Sequence, residues 1–221
     1  MPYAERTTLS AQRLLAARFA GFMLLIALSC TTIYYSFAAA EPPEPAEVIK
    51  GFNAVLLESM KRAGELGYTG RYKLMEPVIK EAFAIPFMAS ATVGSNWKTF
   101  NEKQKKTFLE TYTEWTIASY AGQFNDYSGE RFEIASESKP VNGIVTVVSK
   151  LIQANNDHVD FYYQLRKVDG LWRIVDIKIL GVSQLALTRV QFVSVIKTKG
   201  FDALIAILKK KTENFSQRAE K

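Results

Sequence analysis

The sequence predicts an α+β fold, in which helices pack on one face of a curved antiparallel sheet of about four strands. Apolar residues recur at helical spacing in the first and last parts of the chain, whereas the stretch 131–179 is rich in β-branched and aromatic residues. Turn-forming dipeptides separate the runs inside that stretch. Because helices and strands are segregated along the chain, we expect one domain.

The first helix is predicted from Glu47 onward by an apolar stripe at spacings of three and four, formed by Val48, Phe52, Val55, Leu56, Ser59 and Met60. Three glycines then interrupt the pattern, and 66–72 is predicted to be a turn. A second helix is expected over 72–83, with Pro77 near its start. A short third helix is expected over 87–93, and Gly94 should end it.

The longest helix has a clear start signal. Thr99 and Glu102 have the spacing of a capping box, in which each side chain satisfies a free backbone N–H. We expect the helix to run to about Phe124. Its apolar face should carry Phe108, Tyr112, Trp115, Ser119 and Tyr120.

Four strands are predicted over 131–138, 143–153, 158–168 and 171–179. Asn142-Gly143 and Asp169-Gly170 supply the positive φ angles that tight hairpin turns need, so the strands should form a meander. Alternation is clearest in the third strand, where Val159, Phe161, Tyr163 and Leu165 should share one side.

Two helices are expected after the strands, one between Gly181 and Gly200 and one from Asp202. The last helix should bury Leu204, Ile205 and Leu208 and end in the lysines 209–211. Cations in a final turn suit the helix dipole. Contact with an anionic membrane is the alternative interpretation of these lysines.

The first forty residues have the form of a secretory signal peptide. A basic stretch precedes an apolar run, and the small residues 38–40 stand before the proline-rich 41–46. We therefore expect cleavage after Ala40, a linker at 41–46, a single domain over 47–221 and a periplasmic location. A retained membrane anchor is the alternative, since the apolar run is nearly long enough to span a bilayer.

Removal of residues 1–40 would take away Cys30, the only cysteine, and reduce the formal net charge from +6 to +4. A mature chain without cysteine excludes disulfides and thiolate chemistry. Its mild, dispersed positive charge is not typical of nucleic-acid binding, so no nucleic-acid partner is expected.

The residues typical of catalysis are scarce. His158 is the only histidine, too few for a zinc site and without the Gly-x-Ser-x-Gly motif that presents a serine nucleophile. We expect it to be a polar surface residue. Asp176 should lie on the same side of its strand as Trp172 and Ile174, and Arg189 is a candidate ion-pair partner. We therefore expect no catalytic residues, no metal and no enzyme activity.

Aromatic residues make up 12% of the chain, and many stand at helix positions that should face the sheet. They could fill an ordinary core or line a cavity for an apolar ligand. Periodicity alone does not separate these two alternatives.

Several strings, in this order and spacing, resemble the MlaC family, also known as toluene-tolerance proteins: Gly94–Trp97, Trp172–Asp176, Gly181–Ser183, Arg189–Phe192 and Gly200–Ile205. Three further strings are similar to the hopanoid-associated HpnM branch of that family: Leu66–Tyr72, Tyr127–Phe132 and Phe201–Leu204.

The resemblance implies a periplasmic carrier that holds the apolar part of a membrane lipid, a hopanoid or a phospholipid, in a cavity between helices and sheet. It also implies exchange with an inner-membrane ABC transporter complex and with an outer-membrane lipoprotein or transporter, and no cofactor besides the bound lipid. A small-ligand enzyme on a cone-shaped α+β fold, or a structural domain with a filled core, is the alternative. The expected lipid-binding residues are Phe87, Met88, Trp97, Phe108, Tyr112, Trp115, Tyr120, Val147, Phe161, Tyr163, Leu165, Val175, Ile177, Leu185, Phe192, Ile196 and Leu204.

Overall fold

A computed structural model describes residues 43–219 of the chain, with side chains as far as residue 217. The expected signal peptide at 1–40 lies outside these residues. In order, the elements are α1 (Pro45–Lys61), α2 (Ala63–Ala82), α3 (Ile85–Val93), a 3-10 helix (Gly94–Lys98), α4 (Glu102–Gln123), β1 (Arg131–Glu137), β2 (Ile144–Ile152), β3 (His158–Val168), β4 (Leu171–Ile179), β5 (Val182–Ser183), α5 (Gln184–Lys199) and α6 (Phe201–Ala219).

The predicted α+β fold is confirmed. The strands form one antiparallel sheet in the order β1-β2-β3-β4-β5, so each strand pairs with its neighbours in sequence. Both predicted hairpin dipeptides have positive φ, at 51° and 75° for Asn142 and Gly143 and at 51° and 80° for Asp169 and Gly170. The two-residue strand β5 was not expected from the sequence.

The core lies between the helices and one face of this sheet. Val145, Val147, Tyr163 and Leu165 of the central strands are buried there. On the other face, Tyr162 is 37% exposed. This alternation is the one expected for an antiparallel sheet with a single covered face.

The second helix begins earlier than the sequence predicts. α2 starts at Ala63 and contains one non-helical residue, Gly67, with φ 57° and ψ −174°. The break expected around 66–72 therefore exists, but the helix resumes at once. Arg71 stabilises this arrangement, since it is buried and donates to the carbonyl oxygens of Ala63 and Ala121. Its guanidinium thus ties the start of α2 to the last turn of α4, where carbonyl groups lack helical partners.

The predicted capping box at Thr99 and Glu102 is wrong by two residues. Asn101 is the N-cap of α4, and it exchanges hydrogen bonds with Gln104 at 2.9 and 3.0 Å. The Thr99 hydroxyl instead donates to the carbonyl of Asn96. Both pairs have the same spacing. Thr99, however, is the C-cap residue of the preceding 3-10 helix, so α4 begins after it.

Two other boundaries differ from the prediction. α1 begins at Pro45, inside the expected linker, since proline suits the first turn of a helix. α6 does not end at the lysines 209–211 but continues to Ala219. Its apolar stripe extends to Phe215, whose ring packs against Gly122 of α4. None of the helices described over 43–219 is long and apolar enough to cross a membrane.

Candidate functional site

A cavity of about 300 Å³ lies between α4, α5 and the end of β4. Its floor is buried and consists of Phe83, Met88, Tyr112, Thr116, Asp176 and Ile177. The lining residues that are exposed to solvent are Gln123, Leu187 and Gln191, and they mark the opening. The cavity therefore combines a mainly apolar floor with a rim that carries two neutral amides.

The wall on α4 follows from helix geometry. Tyr112, Trp115, Thr116, Ser119, Tyr120 and Gln123 recur at spacings of three and four, so they share one face of the helix. The hydroxyls of Thr116 and Ser119 donate to the carbonyls four residues earlier, at 2.8 and 2.7 Å. Because these hydroxyls are already satisfied, this face is less polar than its sequence suggests.

Aromatic rings close the inner end of the cavity. Phe83 makes edge-to-face contacts with Phe52 and Tyr120, with ring centroids 5.2 and 5.6 Å apart. The Phe83 backbone is held as well, because its neighbour Ala84 donates to the Ile174 carbonyl at 2.9 Å. The inner end of the cavity is therefore closed by aromatic rings whose positions are fixed by packing and by a backbone hydrogen bond.

A β-bulge in β4 places the second wall. The register passes from Leu165 opposite Ile174 to Gln164 opposite Asp176, which leaves Val175 as the extra residue. Beyond the bulge, Ile177 and Ile179 continue the face of Ile174. Asp176 also lines the cavity on this side of the sheet, as the sequence predicts. The bulge thus allows two consecutive residues, Asp176 and Ile177, to line the same cavity.

Asp176 acts as a cap for α5. Its Oδ1 accepts hydrogen bonds from the backbone N–H groups of Ile177 and Leu185, at 2.8 and 3.0 Å. Ser183, the N-cap residue, accepts from Ala186 at 3.0 Å. A carboxylate at a helix N-terminus also suits the helix dipole. These contacts attach the cavity wall on α5 to the sheet.

The expected pairing of Asp176 with Arg189 is wrong. Among the ion pairs of residues 43–217, none joins these two side chains. The Arg189 guanidinium lies beside Gly94, where it would contact any added Cβ. Gly94 has a φ of 58°, so this close approach depends on glycine.

Burial controls the protonation of the tyrosines around the cavity. It raises the pKa of the Tyr112 phenol and places that of Tyr120 well above its ordinary value. It also raises the pKa of Tyr163, which lies in the core below the cavity. All three phenols are therefore neutral at physiological pH, and the cavity contains no tyrosinate.

His158 is a surface residue, as the sequence predicts. Its side chain is 47% exposed, and its Nε2 lies 3.6 Å from Asp160 Oδ1. Within the described part of the chain, no group of three or more histidine, cysteine, aspartate or glutamate residues could hold a metal ion.

The structure brings only some of the expected lipid-binding residues to the cavity. Seven line it: Met88, Tyr112, Trp115, Tyr120, Phe161, Ile177 and Leu185. Phe87 lines a separate surface cleft. Seven are buried outside the cavity walls, namely Phe108, Val147, Tyr163, Leu165, Val175, Phe192 and Leu204, while Trp97 and Ile196 are partly buried against the core.

Six polar residues of the cavity lining were missed as site residues. Thr116, Ser119, Gln123, Gln184, Thr188 and Gln191 all line the cavity, but a search for apolar stripes passes over them. Their spacing could nevertheless have indicated them, since these polar residues repeat every three or four positions on α4 and on α5. A stripe of small polar and amide side chains beside an aromatic stripe is the pattern to search for.

Comparison with known proteins identifies the family. A sequence model of the family described as "MlaC protein" matches residues 53–210. The chain belongs to the MlaC family. The match covers α2 through α5 entirely, with the sheet between them, and about half of α1 and of α6, so it includes every wall of the cavity.

A curated protein is similar to this chain in sequence. The chain is 29% identical over 125 residues to the intermembrane phospholipid transport system binding protein MlaC of Haemophilus influenzae, over 55% of this chain and 58% of that protein. The chain thus matches somewhat more than half the length of this curated MlaC protein.

The fold is similar to that of a phospholipid-binding protein from Ralstonia solanacearum, solved in complex with a phospholipid. The TM-score is 0.66 at 17% sequence identity, over 77% of this chain and 96% of that one. At this identity the likeness establishes the MlaC-like fold.

Proposed function

We propose that this protein is a non-enzymatic carrier of a membrane lipid, which holds the apolar part of the lipid in the cavity between α4, α5 and the sheet. The observation that carries the proposal is the cavity itself, with its aromatic inner end and its opening at Gln123 and Gln191. A ligand that fits this arrangement has an apolar body and a polar head that stays near the rim.

The physical need for such a site is the cost of exposing hydrocarbon to water. Apolar surface in water costs about 25 cal/mol for each Å², so a membrane lipid does not cross an aqueous compartment freely. The Phe83, Tyr120 and Phe161 side chains replace water around the lipid and form no covalent bond with it. Loading and release then depend on partners that offer competing apolar surfaces.

Two cargo classes are supported by different observations. The Haemophilus influenzae relative is described as part of an intermembrane phospholipid transport system, and the Ralstonia solanacearum protein was solved with a phospholipid. These descriptions favour a phospholipid. The strings similar to the HpnM branch, such as 66–72 and 127–132, favour a hopanoid.

We further propose that residues 1–40 direct export and are removed, so that a single lipid-binding domain over 47–221 works in the periplasm. The resemblance behind this proposal includes an inner-membrane ABC transporter complex and an outer-membrane lipoprotein or transporter as partners. Sequencing the N-terminus of the protein recovered from the periplasm tests the cleavage after Ala40. A mature chain that still begins at Met1 would contradict it.

Lipid extraction and mass spectrometry of the protein purified from its native periplasm test the carrier proposal. We expect one lipid class to co-purify at a fixed ratio to protein, and its identity decides between phospholipid and hopanoid. Phe161→Lys should reduce the bound lipid, because it places a charge in the cavity wall.

Tyr162→Lys is the matched control, because Tyr162 is the neighbouring residue on the opposite, partly exposed face of the same strand. Circular dichroism should show that both variants fold. The proposal is contradicted if the wild-type protein yields no lipid, or if folded Phe161→Lys protein retains as much lipid as the control.

A further inference from the structure

Exposed apolar side chains are concentrated beside the cavity opening. Of the nine large apolar residues exposed in the described part of the chain, four fall between residues 180 and 190. Leu180, Val182, Leu187 and Val190, here called the apolar edge, are 84%, 50%, 45% and 69% exposed. Single exposed apolar residues are normal on a protein surface, but a cluster of them marks an interaction site.

The apolar edge is continuous with the cavity wall. Leu187 is both an exposed residue and a lining residue of the cavity. On α5, Leu187, Val190 and Lys197 lie at i, i+3 and i+10, so they form one stripe along the helix. On the sheet, Val182 pairs with Ile179, another lining residue.

The turn in the apolar edge has an unusual conformation. Leu180 has a φ of 51°, a region that bulky L residues rarely adopt, and the following Gly181 has a φ of 77°. The Leu180 side chain is also the most exposed large apolar group of the described residues. This conformation therefore costs free energy, and packing within the protein does not offset the cost.

The charged side chains between Asp176 and Asp202, the segment that contains the apolar edge, have a single sign. The sequence from Ile177 to Phe201 contains Lys178, Arg189, Lys197 and Lys199 and no aspartate or glutamate. α5 in particular combines its exposed apolar stripe with three cations and no anion. Apolar groups flanked by lysine and arginine are the combination that binds the interface of an anionic bilayer.

We propose that the apolar edge docks the protein on an anionic lipid bilayer, with the cavity opening facing the membrane. Leu180 and Val190 enter the headgroup region, and Lys197 contacts lipid phosphates. The role of this docking rests on the proposed carrier function. A lipid that leaves the cavity directly into the bilayer would expose little apolar surface to water. The docking surface shares only Leu187 with the cavity lining, so docking can be tested without cargo.

Vesicle sedimentation tests the proposal with the mature chain. Vesicles of phosphatidylcholine alone are compared with vesicles of phosphatidylcholine and phosphatidylglycerol. We expect binding to the second kind only, and weaker binding as salt concentration rises. Val190→Ser should lower the partition coefficient roughly tenfold, and Lys197→Gln should lower it about fivefold.

The chain offers matched controls far from the cavity in sequence. Val141 is 66% exposed, close to the value for Val190, and it lies between β1 and β2. Val141→Ser and Lys139→Gln should therefore bind vesicles like the wild-type protein. The lipid content of each variant, measured by mass spectrometry, should equal that of the wild type, whereas Phe161→Lys should lose cargo and still bind vesicles.

Equal vesicle binding by Val190→Ser and Val141→Ser would overturn the proposal, and so would equal binding to neutral and anionic vesicles. Failure of the carrier proposal gives a different pattern, in which the wild-type protein binds anionic vesicles but contains no lipid.

Discussion

Blocking the cavity from one wall is the sharpest test of lipid carriage. Ser119 lies on the cavity face of α4, and its hydroxyl donates only to the carbonyl of Trp115 in the same helix. Ser119→Trp removes that local bond and places a large ring in the space that a lipid chain would occupy. We expect the variant to fold and to bind lipid weakly.

The magnitude can be worked from the cavity volume. Unfilled apolar volume in a core costs about 24 cal/mol for each Å³, so filling the whole cavity of about 300 Å³ could return on the order of 7 kcal/mol. The open side and the polar lining reduce this value. A tryptophan side chain buries roughly 200 Å², worth about 5 kcal/mol at 25 cal/mol for each Å². If half of the buried tryptophan surface occupies space that the lipid would fill, the loss is about 2.5 kcal/mol, or roughly sixtyfold in affinity.

Titration with a fluorescent phospholipid measures the affinity, and thermal unfolding measures the stability. Ser119→Ala is the control, because it removes the hydroxyl without adding volume. We expect Ser119→Ala to bind like the wild type and Ser119→Trp to unfold at the same or a higher temperature. Unchanged lipid affinity in a folded Ser119→Trp variant would refute the assignment of this cavity as the lipid site.

Three further predictions concern how the walls are held. Gly122→Ala should lower the free energy of unfolding by about 1–3 kcal/mol, because its Cβ meets the ring of Phe215, as urea titration would show. Asp176→Ala should lower it by about 1–2 kcal/mol, since it removes the hydrogen bond to the Leu185 N–H at the start of α5. Above pH 10 the unfolding free energy should fall with pH, because burial raises the pKa of Tyr163 in the folded state only, so the unfolded chain releases its proton first. Tyr163→Phe should reduce this slope by about 1.4 kcal/mol per pH unit.

Each of these predictions has its own control. Gly64→Ala introduces a Cβ with no neighbour within 4 Å and should not destabilise the protein; equal losses at both glycines would contradict the packing argument. Asp176→Asn keeps the acceptor oxygen and should retain more stability than Asp176→Ala. A slope above pH 10 that is the same in wild type and Tyr163→Phe would show that Tyr163 ionises equally easily in both states.

The sheet could be predicted in detail because its signals are local. Asn142-Gly143 and Asp169-Gly170 require positive φ, and each dipeptide alone determines a hairpin. The bulge at Val175 could not be predicted in this way, since no glycine marks it and the alternation of Trp172, Ile174 and Asp176 looks regular in the sequence. Regular alternation therefore does not predict that two consecutive residues, Asp176 and Ile177, both line the cavity.

The cavity could be predicted only in part because an apolar stripe has two structural outcomes. Phe108 and Tyr112 are one helical turn apart on α4, yet Phe108 is core and Tyr112 lines the cavity. Which of them meets empty space depends on the position of α5, and that position depends on a contact between Asp176 and Leu185 that is made only in the folded protein. The type and spacing of the side chains on α4 contain no information on how far α5 lies from α4.

The bulge at Val175 also connects cavity size to strand length. The extra residue turns Asp176 toward the N-terminus of α5, and that bond sets where the helix leaves the sheet. Deleting one residue in β4 would restore regular alternation and release this end of α5, without altering a single side chain on α4. A protein of this architecture can therefore acquire a larger or smaller cavity through an insertion or deletion in a strand, while every cavity residue of α4 stays the same.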